Sequence, residues 1–69
     1  MSARRFSHAK LKTLRQDRGL TRDALARNAG ITVDGLMKLE QGRRTPHGST
    51  LAALADALGC RMDDLYAVR

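Results

Sequence analysis

The stretch VDGLMKLEQGRR, residues 33–44, holds the side chains whose chemistry most invites a question. Leu36 and Leu39 recur three apart and mark an inward face. Val33, Asp34, Gly35, Met37, Lys38 and Gln41 are left pointing outward, an unusual mixture of acid, amine, amide and apolar groups. Arg43 and Arg44 follow at once. Eleven basic and four acidic side chains lie within residues 1–44, against two basic and three acidic in residues 45–69. The net charge of +6 therefore belongs to the N-terminal part, and such an asymmetry points to a polyanion, nucleic acid first.

Other chemistries find little support. His8 and His47 lie far apart, Cys60 is the single cysteine, and no cysteine–histidine cluster offers a metal site. Ser49, His47 and Asp56 make no credible catalytic triad in a chain this small. An enzyme is not expected, nor any cofactor. A lone cysteine precludes an intrachain disulfide and suits a reducing cytosol. No apolar run approaches the roughly 18 residues of a membrane span, and MSARRFSHAK lacks the apolar stretch of a secretory signal. A soluble, cytoplasmic protein without membrane association is expected.

The 69 residues allow one domain, which at this size buries only about 60% of its unfolded surface. Phe6 and Tyr66 are the only aromatics, so the core must be aliphatic, and the abundance of Leu and Ala favours helices. Residues 1–6 read as a flexible basic arm carrying Arg4 and Arg5. Ser7 is placed to cap a first helix over about 7–18, with Leu11 and Leu14 three apart on one face, Ala9 nearby and Gly19 as its stop. Thr21 caps a second helix over 22–28, ended by Gly30. Thr32 caps a third over 33–41, ended by Gly42. RRTP at 43–46 is a basic turn through which Pro46 forbids a helix. Ser49 or Thr50 caps a fourth helix over 49–58, striped by Leu51, Leu54, Ala55 and Leu58. A short fifth helix over 62–67 holds Met62, Leu65 and Tyr66. Residues 7–69 thus form one domain.

The decisive pattern runs from residue 22 to 41. Leu25 and Ala26 come early, Ala29 and Gly30 stand at a bend, Ile31 follows, and Leu36 and Leu39 come late. Two helices packed steeply across a tight turn need a small residue at the crossing and a glycine at the reversal. With LKTLRQDRGLT, DALARNAGIT, LMKLEQGRRTP and LAALADALGCRMDDL, the chain resembles the Cro/repressor-type, XRE-like helix-turn-helix family over about residues 9–66. The resemblance implies an all-α, compact five-helix, lambda-repressor-like DNA-binding domain with the helix-turn-helix at helices 2 and 3. It also implies a transcriptional regulator, commonly a repressor of bacterial, phage or plasmid origin, bound as a homodimer to double-stranded DNA.

Carried over residue by residue, the resemblance pairs Arg15 of helix 1 with Glu40 at the end of helix 3; a phosphate contact is the other use of Arg15. It makes Thr32, Val33, Asp34, Gly35, Met37 and Lys38 the candidates for base contact. Lys38 can donate to guanine O6 and N7, Val33 can pack on a thymine methyl, and Asp34 can accept from cytosine N4. Each has a plainer use. Lys38 can meet phosphate, Asp34 favours a helix N-terminus without DNA, and Val33 lies only about 60° from Leu36 around the helix. Gly35 costs about 1 kcal/mol of helix stability relative to Ala, offset if backbone approaches a groove. Arg22 stands where the family commonly has a phosphate-touching glutamine. Gln41, Arg43, Arg44, Arg4 and Arg5 are further phosphate candidates, whereas Arg18 and Arg27 read as solvated surface. Met62, Leu65, Tyr66 and Val68 are candidates for a dimer patch, and packing of the last helix onto the core is their competing use. Cys60 reads as a small core residue. The length leaves no evident room for a ligand-sensing domain. A protein-interaction module or antitoxin-like adaptor that kept the fold, with a protein partner, is the alternative reading.

Overall fold

The computed structural model describes residues 4–68, with the side chains of residues 5–67. The elements run β1 (Arg4–Phe6), α1 (His8–Asp17), α2 (Arg22–Ala29), α3 (Val33–Glu40), α4 (Gly48–Leu58), a single 3₁₀ turn (Met62–Leu65) and β2 (Tyr66–Val68). Local chemistry explains most boundaries. Ser7 Oγ accepts from the Lys10 amide at 3.2 Å, Thr21 Oγ1 from Ala24 at 3.1 Å and Thr32 Oγ1 from Gly35 at 3.0 Å. Each oxygen satisfies an amide that the first helical turn leaves open. At the α2–α3 bend Gly30 takes φ +72°, a left-handed conformation that any Cβ would strain, and the Ile31 amide closes back on the Ala26 carbonyl at 2.9 Å.

The core is almost wholly leucine and alanine. Leu11 comes from α1, Leu25 and Ala26 from α2, Leu36 and Leu39 from α3, Leu51, Leu54, Ala55 and Leu58 from α4, and Leu65 from the 3₁₀ turn. α2 packs against both α3 and α4, and α1 against α3. Ala26, 1% exposed, occupies the crossing, where a larger side chain would push the helices apart.

The ends of the chain depart from the all-α, five-helix expectation. Among the described residues there are four α-helices, and the helix expected over 62–67 is one 3₁₀ turn followed by a strand. Four residues cannot repay the cost of nucleating an α-helix alone. Asp64 instead reaches back to accept from the Arg61 amide at 3.0 Å, and Tyr66–Val68 pairs antiparallel with Arg4–Phe6. The arm expected over 1–6 is therefore a strand from residue 4 onward; residues 1–3 lie outside the described residues. The register sets Phe6 opposite Tyr66, so the two aromatics are cross-strand partners, and both pack against the core. Lys10 Nζ of α1 donates to the Tyr66 carbonyl of this sheet at 2.7 Å, and Ser7 N–H, between β1 and α1, donates to the Leu65 carbonyl of the 3₁₀ turn at 2.8 Å.

Smaller corrections have equally local causes. α4 begins before Ser49, because the His47 carbonyl already accepts from Leu51 N–H at 2.8 Å. His47 is its N-cap without a side-chain bond, so neither Ser49 nor Thr50 caps it. Ala9 is exposed, on the far side of α1 from Leu11. Arg18 is not simply solvated: its Nε donates to the Leu58 carbonyl at 2.9 Å and covers the C-terminus of α4. Leu65, offered above for a dimer patch, is 0% exposed and belongs to the core, while Met62 is 40% exposed. Leu65→Ala is therefore expected to destabilise the fold by about 2–5 kcal/mol, and Met62→Ala to change it by less than about 0.5 kcal/mol. Urea unfolding of the two variants beside the parent checks this.

Candidate nucleic-acid interface

Glu40 is the anchor from which the site is built. It ends α3, its side chain is 1% exposed, and it accepts from two arginines. Arg15 Nε donates to Oε2 at 2.6 Å and Arg15 Nη2 to Oε1 at 3.2 Å; Arg22 Nε donates to Oε1 at 3.0 Å. Arg15 Nη1 also donates to the Leu20 carbonyl at 2.8 Å. One carboxylate thus joins α1, the start of α2 and the end of α3. Arg22, read from sequence only as a phosphate candidate, has a structural partner as well, yet its side chain remains 40% exposed. The guanidinium has five N–H donors in a planar fork, so it can hold Glu40 on one edge while presenting another outward.

His8 strengthens the same corner. Its Nδ1 lies 3.2 Å from the Glu40 carbonyl oxygen, a geometry that suits an Nδ1–H donor. The ring also fills the space over Gly42. That residue has φ +76°, and a Cβ there would fall 2.8 Å from His8 Cδ2. Gly42 is thus required twice, by backbone conformation and by the imidazole. No local signature marks His8 for this role, because its partners lie 32 and 34 positions away in the sequence.

With its C-terminal end held, α3 leaves its opening turn uncovered. Thr32, Val33 and Asp34 are exposed, Val33 by 41%, and Gly35, Met37 and Lys38 are half-buried. Val33 is therefore not a core residue. A Cβ on Gly35 would sit 3.0 Å from Thr32 Oγ1, the oxygen that caps the helix through the Gly35 amide. The glycine thus spares the cap from crowding.

Lys38 is not free on this face: its Nζ lies 3.0 Å from Asp34 Oδ2. The pair has i,i+4 spacing with the acid nearer the N-terminus, the favoured order on a helix. The hydrogen bond and charge of Lys38 hold the Asp34 carboxyl below its usual range, and Arg44 and Arg43 add to the effect.

Gln41, Arg43 and Arg44 are exposed immediately beyond α3, and Arg5 is exposed on β1. The side chains of Arg4 and Val68 lie outside the described residues. A groove of about 300 Å³ beside α3 is lined in part by Thr32, Gly35, Leu39, Arg44 and His47. It joins the capped helix start to the basic loop. Cys60 is half-buried and packs against the core, and burial pushes its thiol pKa up, away from the reactive thiolate. Among the described residues no group of three His, Cys, Asp or Glu side chains could hold a metal, and no helix is long and apolar enough to cross a membrane.

A helix-turn-helix with a braced second helix, an exposed polar opening turn and flanking arginines is the architecture of a DNA-binding domain. Comparison with known proteins agrees. A family model described as "Helix-turn-helix domain" matches residues 9–68. The chain is 37% identical over 59 residues to the uncharacterized HTH-type transcriptional regulator y4dJ of Sinorhizobium fredii, covering 86% of this chain and 77% of that protein. It is 43% identical over 56 residues to the HTH-type transcriptional regulator DdrOP3 of Deinococcus deserti, covering 81% of this chain but only 43% of that longer protein. Among solved structures, the P22 c2 repressor in complex with synthetic operator 9T superposes with a TM-score of 0.80 at 26% identity, over 84% of this chain and 88% of that one. The chain belongs to the Cro/repressor-type, XRE-like helix-turn-helix family. That family consists of DNA-binding transcription regulators and is not an enzyme class.

Two outcomes follow from the geometry. Glu40→Ala should cost about 3–5 kcal/mol, because it strands the buried Arg15 guanidinium. Arg22→Ala, at the exposed side of the same carboxylate, should cost about 1 kcal/mol or less; urea unfolding separates them. For Asp34, the folded pKa lies below the unfolded one, so its contribution to stability is present above the unfolded pKa. That contribution is lost as pH falls through the lowered folded value. Lys38→Met should return the Asp34 titration midpoint toward the ordinary carboxylate range, as read by carboxyl-resolved NMR.

Proposed function

We propose that this protein is a sequence-specific, double-stranded DNA-binding transcriptional regulator that lays α3 in the major groove. The observation that carries the reading is the uncovered start of α3, Thr32 to Asp34, on a helix whose far end is held by Glu40. Arg43 and Arg44 stand exposed just beyond that helix, where a duplex backbone flanks the groove. Thr32, Val33, Asp34, Gly35, Met37 and Lys38 are the base-side candidates. Arg22, Gln41, Arg43 and Arg44 are the phosphate-side candidates, with Arg5 as an outlying cation. Arg22 would grip phosphate with the part of its guanidinium that Glu40 leaves open.

The active species in this reading is a homodimer on a two-fold-related operator, with half-sites about 34 Å apart. Its contact surface includes exposed Met62 and half-buried Tyr66 at the end of the chain; Leu65 is spent on the core. Repression is the simplest output, by occupancy of the operator. The P22 c2 repressor, similar in fold, was crystallised on an operator, and two regulators share more than a third of their aligned residues with this chain.

If about four cations per subunit meet phosphate, affinity measured against salt should fall with a log–log slope near −7 for the dimer. Arg43→Ala should weaken every duplex alike and flatten that slope by about 2, since each dimer loses two contacts. Electrophoretic mobility shift over a range of salt concentrations tests both. Absence of salt-dependent binding to any duplex, with a stable complex to another protein, would overturn the DNA-binding role in favour of an adaptor.

A further inference from the structure

We propose that Asp34 and Lys38 work as one reading unit, directed at a single G·C base pair through the hydrogen-bonding edge it shows in the major groove. The inference deepens the DNA-binding reading and rests on it. It starts from the ion pair on the exposed face of α3, where Lys38 Nζ and Asp34 Oδ2 are 3.0 Å apart. The ammonium has three hydrogens, of which Asp34 takes one and leaves two. The carboxylate has further lone pairs, including both on Oδ1. The unit therefore presents donors and an acceptor side by side at hydrogen-bond spacing.

A G·C pair presents the complement. Its major-groove edge runs N7 acceptor, O6 acceptor, N4–H donor. O6 and N4 are themselves joined by a base-pairing hydrogen bond, so they stand about 2.9 Å apart. Lys38 can place its two remaining hydrogens on N7 and O6 while Asp34 accepts from N4–H, and the bond between the two side chains need not break. An A·T edge runs acceptor, donor, acceptor, methyl. It has no two adjacent acceptors for the ammonium, and so leaves one Lys38 hydrogen unpaired if Asp34 is satisfied.

The pairing also accounts for an acid beside a polyanion. Alone, Asp34 would be repelled by phosphate, and alone, Lys38 is a point charge that serves phosphate as readily as guanine. Joined, they carry no net charge, and Asp34 lies in the field of Arg43 and Arg44 as well. Asp34 is 65% and Lys38 28% exposed at the side chain, which leaves the carboxylate the more prominent partner.

The test uses the full chain. Bound sequences are selected from a random duplex pool. The parent, Asp34→Ala, Lys38→Ala and the double variant are then titrated on the best-bound duplex and on every single base-pair substitution of it, so that all four pairs are compared at each position, the selected G·C position included. The parent should prefer G·C over the other three pairs by on the order of tenfold. Each single variant should erase that preference at the same base pair and at no other, and the double variant should lose no more than either single one. Loss of preference at two different base pairs, or at none, overturns the paired reading while duplex binding persists. Failure of the parent to bind any duplex at low salt instead removes the DNA-binding role and this inference with it.

Discussion

The structure depends on one buried carboxylate. Glu40 lies under the end of α3 and would cost several kcal/mol to strip of water if it were left alone. Three N–H groups from Arg15 and Arg22 replace that water, and a fourth contact, from His8, falls on the residue's carbonyl. The partners come from α1 and from the start of α2. The interaction therefore does what leucine packing cannot: it fixes where α3 ends relative to two other helices, with hydrogen-bond directionality. Apolar contact sets distances but is tolerant of rotation and sliding. Two guanidiniums around one carboxylate also leave one positive charge in excess, displayed through the half-exposed Arg22. The brace and the cationic surface are thus partly the same atoms.

That arrangement divides α3 into two ends with different duties. The C-terminal half carries Leu39 and Glu40 inward and has little freedom. The N-terminal half needs only its Thr32 cap and Leu36 to stay in place, so Val33 and Asp34 are released from packing. A short, poorly helix-favouring glycine is tolerable there because the brace and the core, not local propensity, stabilise the helix. Basic side chains gather on this part of the chain, while Asp56, Asp63 and Asp64 fall in the later segments. Of the basic side chains, Lys38, Arg44 and Arg43 act directly on the carboxylate of Asp34 in the uncovered turn.

Near the ends, the chain closes on itself. A domain of this size has few leucines to spare, and the strand pair Arg4–Phe6 with Tyr66–Val68 adds the only two aromatics to its apolar body. Lys10 hydrogen-bonds to the Tyr66 carbonyl and ties the sheet to α1, and Ser7 hydrogen-bonds to the Leu65 carbonyl of the 3₁₀ turn. Arg5 is thereby committed to a paired strand and is not a cation on a loose tether.

The four helices were readable because their causes are local. A hydroxyl three residues before an amide, leucines at 3.6-residue spacing and glycines at helix ends act within a turn or two, and α1 to α4 lie within one residue of the expected spans. The bend from Ala26 to Ile31 and the partnership of Arg15 with Glu40 were also legible, the latter through family resemblance. Spacing alone would have allowed the contact of Asp34 with Lys38, four residues apart. What could not be read had its cause far away in the chain. Residues 4–6 become a strand only because residues 66–68 arrive beside them, since a strand's hydrogen bonds are made by another segment. The burial of Leu65, the second arginine on Glu40 and the seat of His8 over Gly42 likewise depend on groups many positions distant. The sequence by itself determined the helices, their caps and the charge imbalance, all products of near-neighbour chemistry. Tertiary structure decided which polar groups were consumed as braces and which were left facing water, because that choice requires every segment to be in place at once.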